Sequence, residues 1–232
     1  MHLKALGERK SNSDATKMRT EANLLDLGLQ DYSRVWMLQR KLIELRASKT
    51  IPDTLILVQH PHIFTVGKSV PGEVPHEING VPVLRVERGG QWTYHGPGQL
   101  VGYLILDLNG WHRDVHRFLR NIEQTLILAL SKFNIHADHH EGQVGVWVQT
   151  KKIASIGAAI RNWVSYHGFA LNVNTDLTYF EMITPCGMPS STMTSMKALL
   201  GEEKDFELLK IEVRKAFEDV FELQLIEKTN QA

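Results

Sequence analysis

The chain has 232 residues, 43% of them hydrophobic and 22% charged, and its 26 basic side chains cancel its 26 acidic ones. That mixture excludes wholesale disorder, leaves enough apolar material for a full core, and lacks the basic excess that neutralises nucleic-acid phosphates. The densest apolar run, Leu100 to Leu106, is far short of the ~20 residues of a membrane-spanning helix, and Asp107 ends it.

Residues 1 to about 22 are polar, with Ser11, Asn12, Ser13 and Asp14 adjacent, and read as a flexible extension ahead of a single domain over 23–232. From Asp31 onward Val35, Leu38, Leu42 and Leu45 recur at helical steps, and Pro52 lies beyond the end of that helix. Leu55 to Val58 and Ile63 to Val66 read as strands on either side of His60-Pro61-His62. Asn79-Gly80 is a hairpin turn leading into a strand from Val81 to Val86. Leu100 to Leu108, apolar on both faces, is a buried strand. After Asn109-Gly110, a helix carries Val115, Phe118, Ile122, Leu126, Ala129 and Phe133 on one face. Val144 to Val148, Ile153 to Ile160, Trp163 to Tyr166 and Phe169 to Val173 read as short strands. Thr194 to Leu200 is a short helix ended by Gly201, and a last helix runs from Phe206 to Phe221. Two groups of strands with helices before, between and after them predict an α+β fold of mixed or antiparallel sheets covered by helices.

Two segments carry candidate chemistry. In Arg88 to Gln99, glycines 89, 90, 96 and 98 let the backbone approach a ligand and expose N–H groups, among polar Arg88, Thr93, Tyr94, His95 and Gln99. A plain glycine-rich hairpin loop fits the same residues, and the pattern is neither a P-loop nor GxGxxG. The second segment holds the only cysteine, Cys186, which excludes an internal disulfide and a cysteine-rich metal site. With no apolar signal core at the N-terminus, this reads as a reducing, cytoplasmic setting. A lone cysteine is ordinarily an inert core residue. Pro185, Gly187 and Pro189 instead put Cys186 in an accessible turn, where a neighbouring cation would make it reactive; Lys151, Lys152 and several histidines are candidates. His136, His139 and His140 have no standard metal spacing and read as a polar loop. His60 and His62 are open between structural and pocket roles, and His167, before Gly168, reads as a core residue or one that supports the site from behind.

The stretch RGGQWTYHGPGQ at 88–99, running into Leu100-Val101-Gly102-Tyr103, closely resembles the signature of the lipoyl(octanoyl) transferases. KIASIG at 152–157, HGFALNVNTDL at 167–177 and FEMITPCG at 180–187 follow in the family's order, so that the resemblance spans about 30 to 225. It implies the catalytic fold of biotin and lipoate protein ligases. It also implies transfer of an octanoyl group from octanoyl-acyl carrier protein to a lysine of lipoyl domains, with no cofactor or metal. The acceptors it implies are 2-oxoacid dehydrogenase E2 subunits and the glycine cleavage H protein. Carried over by position, Cys186 is the acyl-thioester nucleophile and Lys152 the lysine that lowers the thiol's pKa. The substrate-contacting residues are Arg88, Gly89, Gly90, Gln91, Trp92, Thr93, Tyr94 and His95, then Ser155, Ile156 and Gly157, then Gly168, Phe169 and Ala170. The rival readings are an ATP-dependent lipoate or biotin protein ligase, which needs no thiol, and a non-catalytic module that binds lipoyl domains or acyl carrier protein. One domain with a neutral surface is expected to be a monomer.

Overall fold

A computed structural model of the chain describes residues 19–111 and 113–228; most of the expected N-terminal extension lies outside the described residues. In chain order the elements are β1 (Thr20–Leu29), α1 (Tyr32–Ala47), β2 (Thr54–Gln59), β3 (Ile63–Val66), β4 (Glu77–Ile78), β5 (Val81–Arg85), β6 (Trp92–His95) and β7 (Gln99–Ile105). They continue as α2 (Val115–Ser131), β8 (Asp138–His140), β9 (Gln143–Val148), β10 (Lys151–Arg161), β11 (Val164–Asn172), α3 (Met196–Leu200), α4 (Phe206–Phe221) and β12 (Leu223–Glu227). Each helix opens on a side-chain cap: Asp31, Asp114, Ser195 and Asp205 accept from backbone N–H groups of the first turn. No helix among the described residues is long and apolar enough to cross a membrane.

Eight strands form one sheet in the order β12-β1-β2-β7-β11-β10-β9-β8. β1 runs parallel to both its neighbours, and every other pair is antiparallel. The period-two alternation of strand side chains divides the core between the two faces. Phe169 and Leu171 of β11, with Leu100 and Leu104 of β7, pack beneath α2 and α4. Val164, Tyr166 and Ala170 of β11, with Val101 and Tyr103 of β7, face α1. A second sheet, ordered β4-β5-β3-β6, encloses its own cluster around Phe64, Tyr94 and Phe180.

The α+β layout and the principal helices match the sequence expectation, with local differences. Thr20, Glu21 and Ala22, assigned to the extension, belong to β1 and pair with β12. Trp163–Tyr166 and Phe169–Val173 are not two strands, because β11 runs through His167 and Gly168 without a break in its pairing with β10. The glycine-rich stretch is not all loop, since Trp92–His95 pairs with β3. The turn at Asn79-Gly80 is as expected, both residues having positive φ (50° and 78°).

Candidate active site

Cys186 sits where the expected turn puts it. Gly187 N donates to Thr184 O (3.2 Å) and Met188 N to Pro185 O (2.9 Å), so two turns overlap at the cysteine. Both central residues are left-handed, Cys186 at φ 55° and Gly187 at 75°. A non-glycine residue pays about 1–2 kcal/mol for that conformation. The turn is docked, because Cys186 N donates to Trp92 O at 3.0 Å. A Cβ on Gly187 would lie 2.9 Å from Gln91 Oε1. The sulfur is 3.9 Å from Ser155 Oγ on β10.

Two cavities meet at this sulfur. The inner one is lined by Arg88, Gly89, Gly90, Gln91, Thr93, His95, Ser155, Ile156, Gly157, Gly168, Phe169, Ala170 and Cys186, with Tyr32, Val101, Tyr103 and His167 added. The outer one shares Gly89, Gly90, Gln91, Ile156, Gly157 and Cys186, and extends past Lys152, Val115, Leu119 and Met188. All the residues expected at the site except Trp92 and Tyr94 therefore line one cavity or the other. Those two alternate with Thr93 and His95 on β6 and point the opposite way. Tyr94 is buried in the small-sheet cluster, its hydroxyl 2.7 Å from His62 Nδ1 and its ring stacked on Tyr179. Trp92 contributes through its backbone, as the acceptor for Cys186 N.

The loop before β6 is held tightly. Gly67 N donates to Gln91 O, Lys68 N to Arg88 O and Ser69 N to Gly90 O. A Cβ on Gly67 would meet Gly90 O at 2.3 Å. Two of the glycine N–H groups expected to be exposed are engaged: Gly89 donates to Ala158 O and Gly98 to Gln59 Oε1. Arg88 is buried, its Nη2 donating to Thr65 O (2.8 Å) and Oγ1 (3.0 Å) and its Nη1 to Gly89 O. Burial pushes its guanidinium pKa down, opposed by Tyr32, Cys186 and Tyr103 nearby. It has no carboxylate partner among the described residues, so an unpaired cation stands beside the thiol.

Lys152 lines the outer cavity together with Cys186 and is 3% exposed. Its Nζ donates to Val144 O (2.9 Å) and lies 5.5 Å from the centre of the Trp147 ring. Gly145, at φ 138°, makes room for it: a Cβ there would meet Lys152 Cε at 2.4 Å. A buried chain of amides ties the two cavities together. His95 Nδ1 donates to Gln99 Oε1, Gln99 Nε2 to Asn172 Oδ1, and Asn172 Nδ2 to Thr194 O, while Thr194 N donates to Lys152 O.

The inner end is aromatic and neutral. Tyr32 stacks on His95, and Tyr103 donates to His60 Nε2 at 2.7 Å. Burial holds His60 down at about 4 and His167 at about 3, drives His95 well below the usual imidazole range, and raises Tyr32 to about 12. Tyr32 and Val101 are lining residues that local pattern misses. Tyr103 carried a signal, being the one polar-tipped side chain in an otherwise aliphatic or glycine run.

The lipoyl protein ligase A/B catalytic domain family matches residues 31–218. An octanoyltransferase of Flavobacterium psychrophilum is 38% identical over 90% of this chain and 100% of its own length. An octanoyltransferase of Rubrobacter xylanophilus is 42% identical over 83% and 90%. In three dimensions the chain is similar to a bipartite lipoate protein ligase from Thermoplasma acidophilum, with a TM-score of 0.67, 17% identity, and coverage of 90% and 87%. It is also similar to the biotin protein ligase of Aquifex aeolicus, with a TM-score of 0.51, 14% identity, and coverage of 86% and 69%. The two structures share the fold, and the sequence relatives share the family: the chain belongs to the lipoyl protein ligase A/B catalytic domain family, among the acyltransferases named octanoyltransferase.

Proposed function

We propose that the chain moves an octanoyl group from the thioester of an acyl carrier protein to a lysine of lipoyl domains, through an acyl thioester on Cys186. The observation that carries this reading is the position of Cys186 at the junction of two cavities, one narrow and partly aromatic, the other wide and holding Lys152. The inner cavity offers the alkyl chain Val101, Ile156, Phe169 and Ala170, and each buried CH₂ contributes about 0.8 kcal/mol. The outer cavity admits donor and acceptor in turn.

The steps balance without ATP. The Cys186 thiolate attacks the thioester carbonyl; the new C–S bond forms as the carrier's C–S bond breaks. The Lys152 ammonium protonates the departing carrier thiolate. Neutral Lys152 then takes a proton from the acceptor lysine, whose freed amine attacks the acyl-Cys carbonyl. The amide C–N bond forms, the amide nitrogen gives its extra proton to solvent, and the Cys186 thiolate leaves beside a restored Lys152 ammonium. The same reading takes the chain from β1 onward as one catalytic domain, monomeric and cytoplasmic, with E2 subunits and the glycine cleavage H protein as acceptors.

Intact-protein mass after incubation with octanoyl-loaded acyl carrier protein, without ATP, tests this. One octanoyl group is expected on the protein, absent in Cys186→Ala and discharged by a lipoyl domain. No adduct, with lipoyl-domain modification only when ATP and free acid are supplied, overturns the transferase in favour of a ligase.

A further inference from the structure

One short stretch of sheet edge beside Cys186 is left open. β10 pairs with β11 from Ala154 to Arg161, but its pairing with β9 on the other side ends at Ala154 opposite Val146. Val144 is next in line to meet Ile156. Its carbonyl instead accepts from Lys152 Nζ (2.9 Å). Gly145, at φ 138°, turns β9 away and donates its N–H to the buried Glu123 Oε1 (2.9 Å). Further along the same edge, Gly89 N donates to Ala158 O at 3.0 Å, so that the glycine-rich loop closes it again.

Those bonds also fix which way the gap faces. Alternate residues of an antiparallel strand turn N–H and C=O to the same side, and Ala154 and Ala158 turn theirs away from β11. Ile156 lies between them and does likewise, and none of the described residues pairs with it there. Backbone polar groups removed from water are almost always bonded. The N–H and C=O of half-buried Ile156, turned towards the outer cavity, therefore mark a place for a ligand's own acceptor and donor.

Position and size say which ligand. Ile156 and Cys186 both line the inner and the outer cavity, and Ser155, the residue before Ile156, has its Oγ 3.9 Å from the sulfur. A group bonded at Ile156 thus lies next to the reacting thioester. The gap is a single residue wide, because β9 leaves before it and Gly89 fills the edge after it, so it does not admit a polypeptide strand. An acyl carrier protein presents its thioester on a pantetheine arm. The β-alanyl unit of that arm, close behind the sulfur, is one peptide residue lengthened by a methylene, with a C=O at one end and an N–H at the other. The acceptor lysine has only methylenes behind its amine and offers no such pair.

We propose that the Ile156 backbone is the subsite for the donor's arm: its N–H donates to the β-alanyl carbonyl and its C=O accepts the β-alanyl N–H, which lays the thioester against Cys186. The proposal deepens the acyl-Cys reading above and rests on it. Its test is the loading rate by intact mass with S-octanoylpantetheine, S-octanoyl-N-acetylcysteamine, which keeps the carbonyl alone, and S-octanoylpentanethiol, which has neither group. Each rate is divided by that of the same thioester with free cysteine. Loading should fall about three- to tenfold at each step, one hydrogen bond at a time. Replacing Ile156 by its α-hydroxy acid, which puts an oxygen in place of an N–H that no ladder bond uses, should abolish the step between N-acetylcysteamine and pentanethiol. If that protein does not fold, amide hydrogen exchange on the unaltered chain decides. Exchange at Ile156 should slow at least about tenfold with the unreactive thioether S-octylpantetheine and not with octyl pentyl sulfide. No adduct from octanoyl-loaded acyl carrier protein sinks the acyl-Cys reading itself. Loading by the carrier protein together with equal rates from the three small thioesters, or with none of them loading, overturns the donor subsite. A graded series that survives the change at Ile156, or exchange there that ignores the thioether, does the same.

Discussion

The inner cavity is closed in by groups with almost no freedom, whereas the outer one is bounded by residues with room to move. A Cβ on Gly168 would lie 2.3 Å from Gly102 O and 2.7 Å from Leu104 Cδ1, and one on Gly157 3.2 Å from Arg88 Cδ. Gly142, on the outer rim, has nothing within 4 Å of the same point. Inside, burial holds His95 and His167 neutral beside the Arg88 cation; outside, a lysine amine reaches the wall and Val144 is 43% exposed. On the proposed reading, the chamber recognises an inert chain and has only shape to work with, and shape requires rigidity. On the same reading, the outer groove admits two different macromolecules in turn and needs charge and access instead.

Acid should separate the two regions first. His60 at about 4, His167 at about 3 and His95, well below its ordinary value, all have folded pKa values below the unfolded 6.5. The unfolded chain therefore binds protons that the native chain refuses, so the stability is present above the unfolded value and is lost as pH falls from there towards the folded values. Each histidine contributes a slope of up to about 1.4 kcal/mol per pH unit, so the three together contribute up to about 4. Urea midpoints measured from pH 7 to 5 should fall accordingly; a flat profile would mean that burial does not hold these three imidazoles neutral.

Lys152→Met probes the outer side. It removes the charge and the proposed proton relay while keeping the bulk against Trp147, and should lower transfer by about 10²–10⁴-fold. The relative rates of octanoyl and dodecanoyl loading should stay put, because the chamber is untouched. A shift in that ratio would show that Lys152 helps to shape the acyl site, and the division into two compartments would fail.

What the sequence disclosed follows the same division. Motif residues are local in the chain, so Cys186, Lys152 and the run from Arg88 to His95 were legible as blocks, and the amphipathic helices by their period. Strand alternation then decides which members of a block face the cavity, and that depends on pairing across the sheet: Thr93 and His95 point in, Trp92 and Tyr94 point out. Tyr32 reaches the chamber from the first turn of α1, far from any motif. β1 and β12 escaped notice because each is completed by a partner about 200 residues away, Thr20 opposite Leu223. The side of the sheet taken by His167 depends on one left-handed residue that no period announces.

The glycines give the next largest contrast. Gly168→Ala forces a methyl into Gly102 O, which is backbone and cannot yield, and should cost about 3 kcal/mol, seen as a melting temperature lower by roughly 6–12 °C. Gly142→Ala meets no atom and should cost only about 1–2 kcal/mol for its φ of 75°. Equal losses at the two sites would remove the distinction between a rigid wall and an open rim.

The smallest effect has the opposite sign. Thr93 Oγ1 faces the chamber from β6, is buried, and has no hydrogen-bond partner among the described residues. Leaving a hydroxyl unpaired in an apolar site costs about 1–3 kcal/mol, and a methyl in its place removes that cost at nearly the same volume. Thr93→Val should therefore raise stability by about 1 kcal/mol, read as a higher urea midpoint at unchanged slope, and leave octanoyl loading within a few-fold of the unaltered protein. A loss of stability would mean that the hydroxyl holds an ordered water at the mouth of the chamber. Loss of loading without loss of stability would make Thr93 a donor to the thioester oxygen, because nothing else at that position distinguishes threonine from valine.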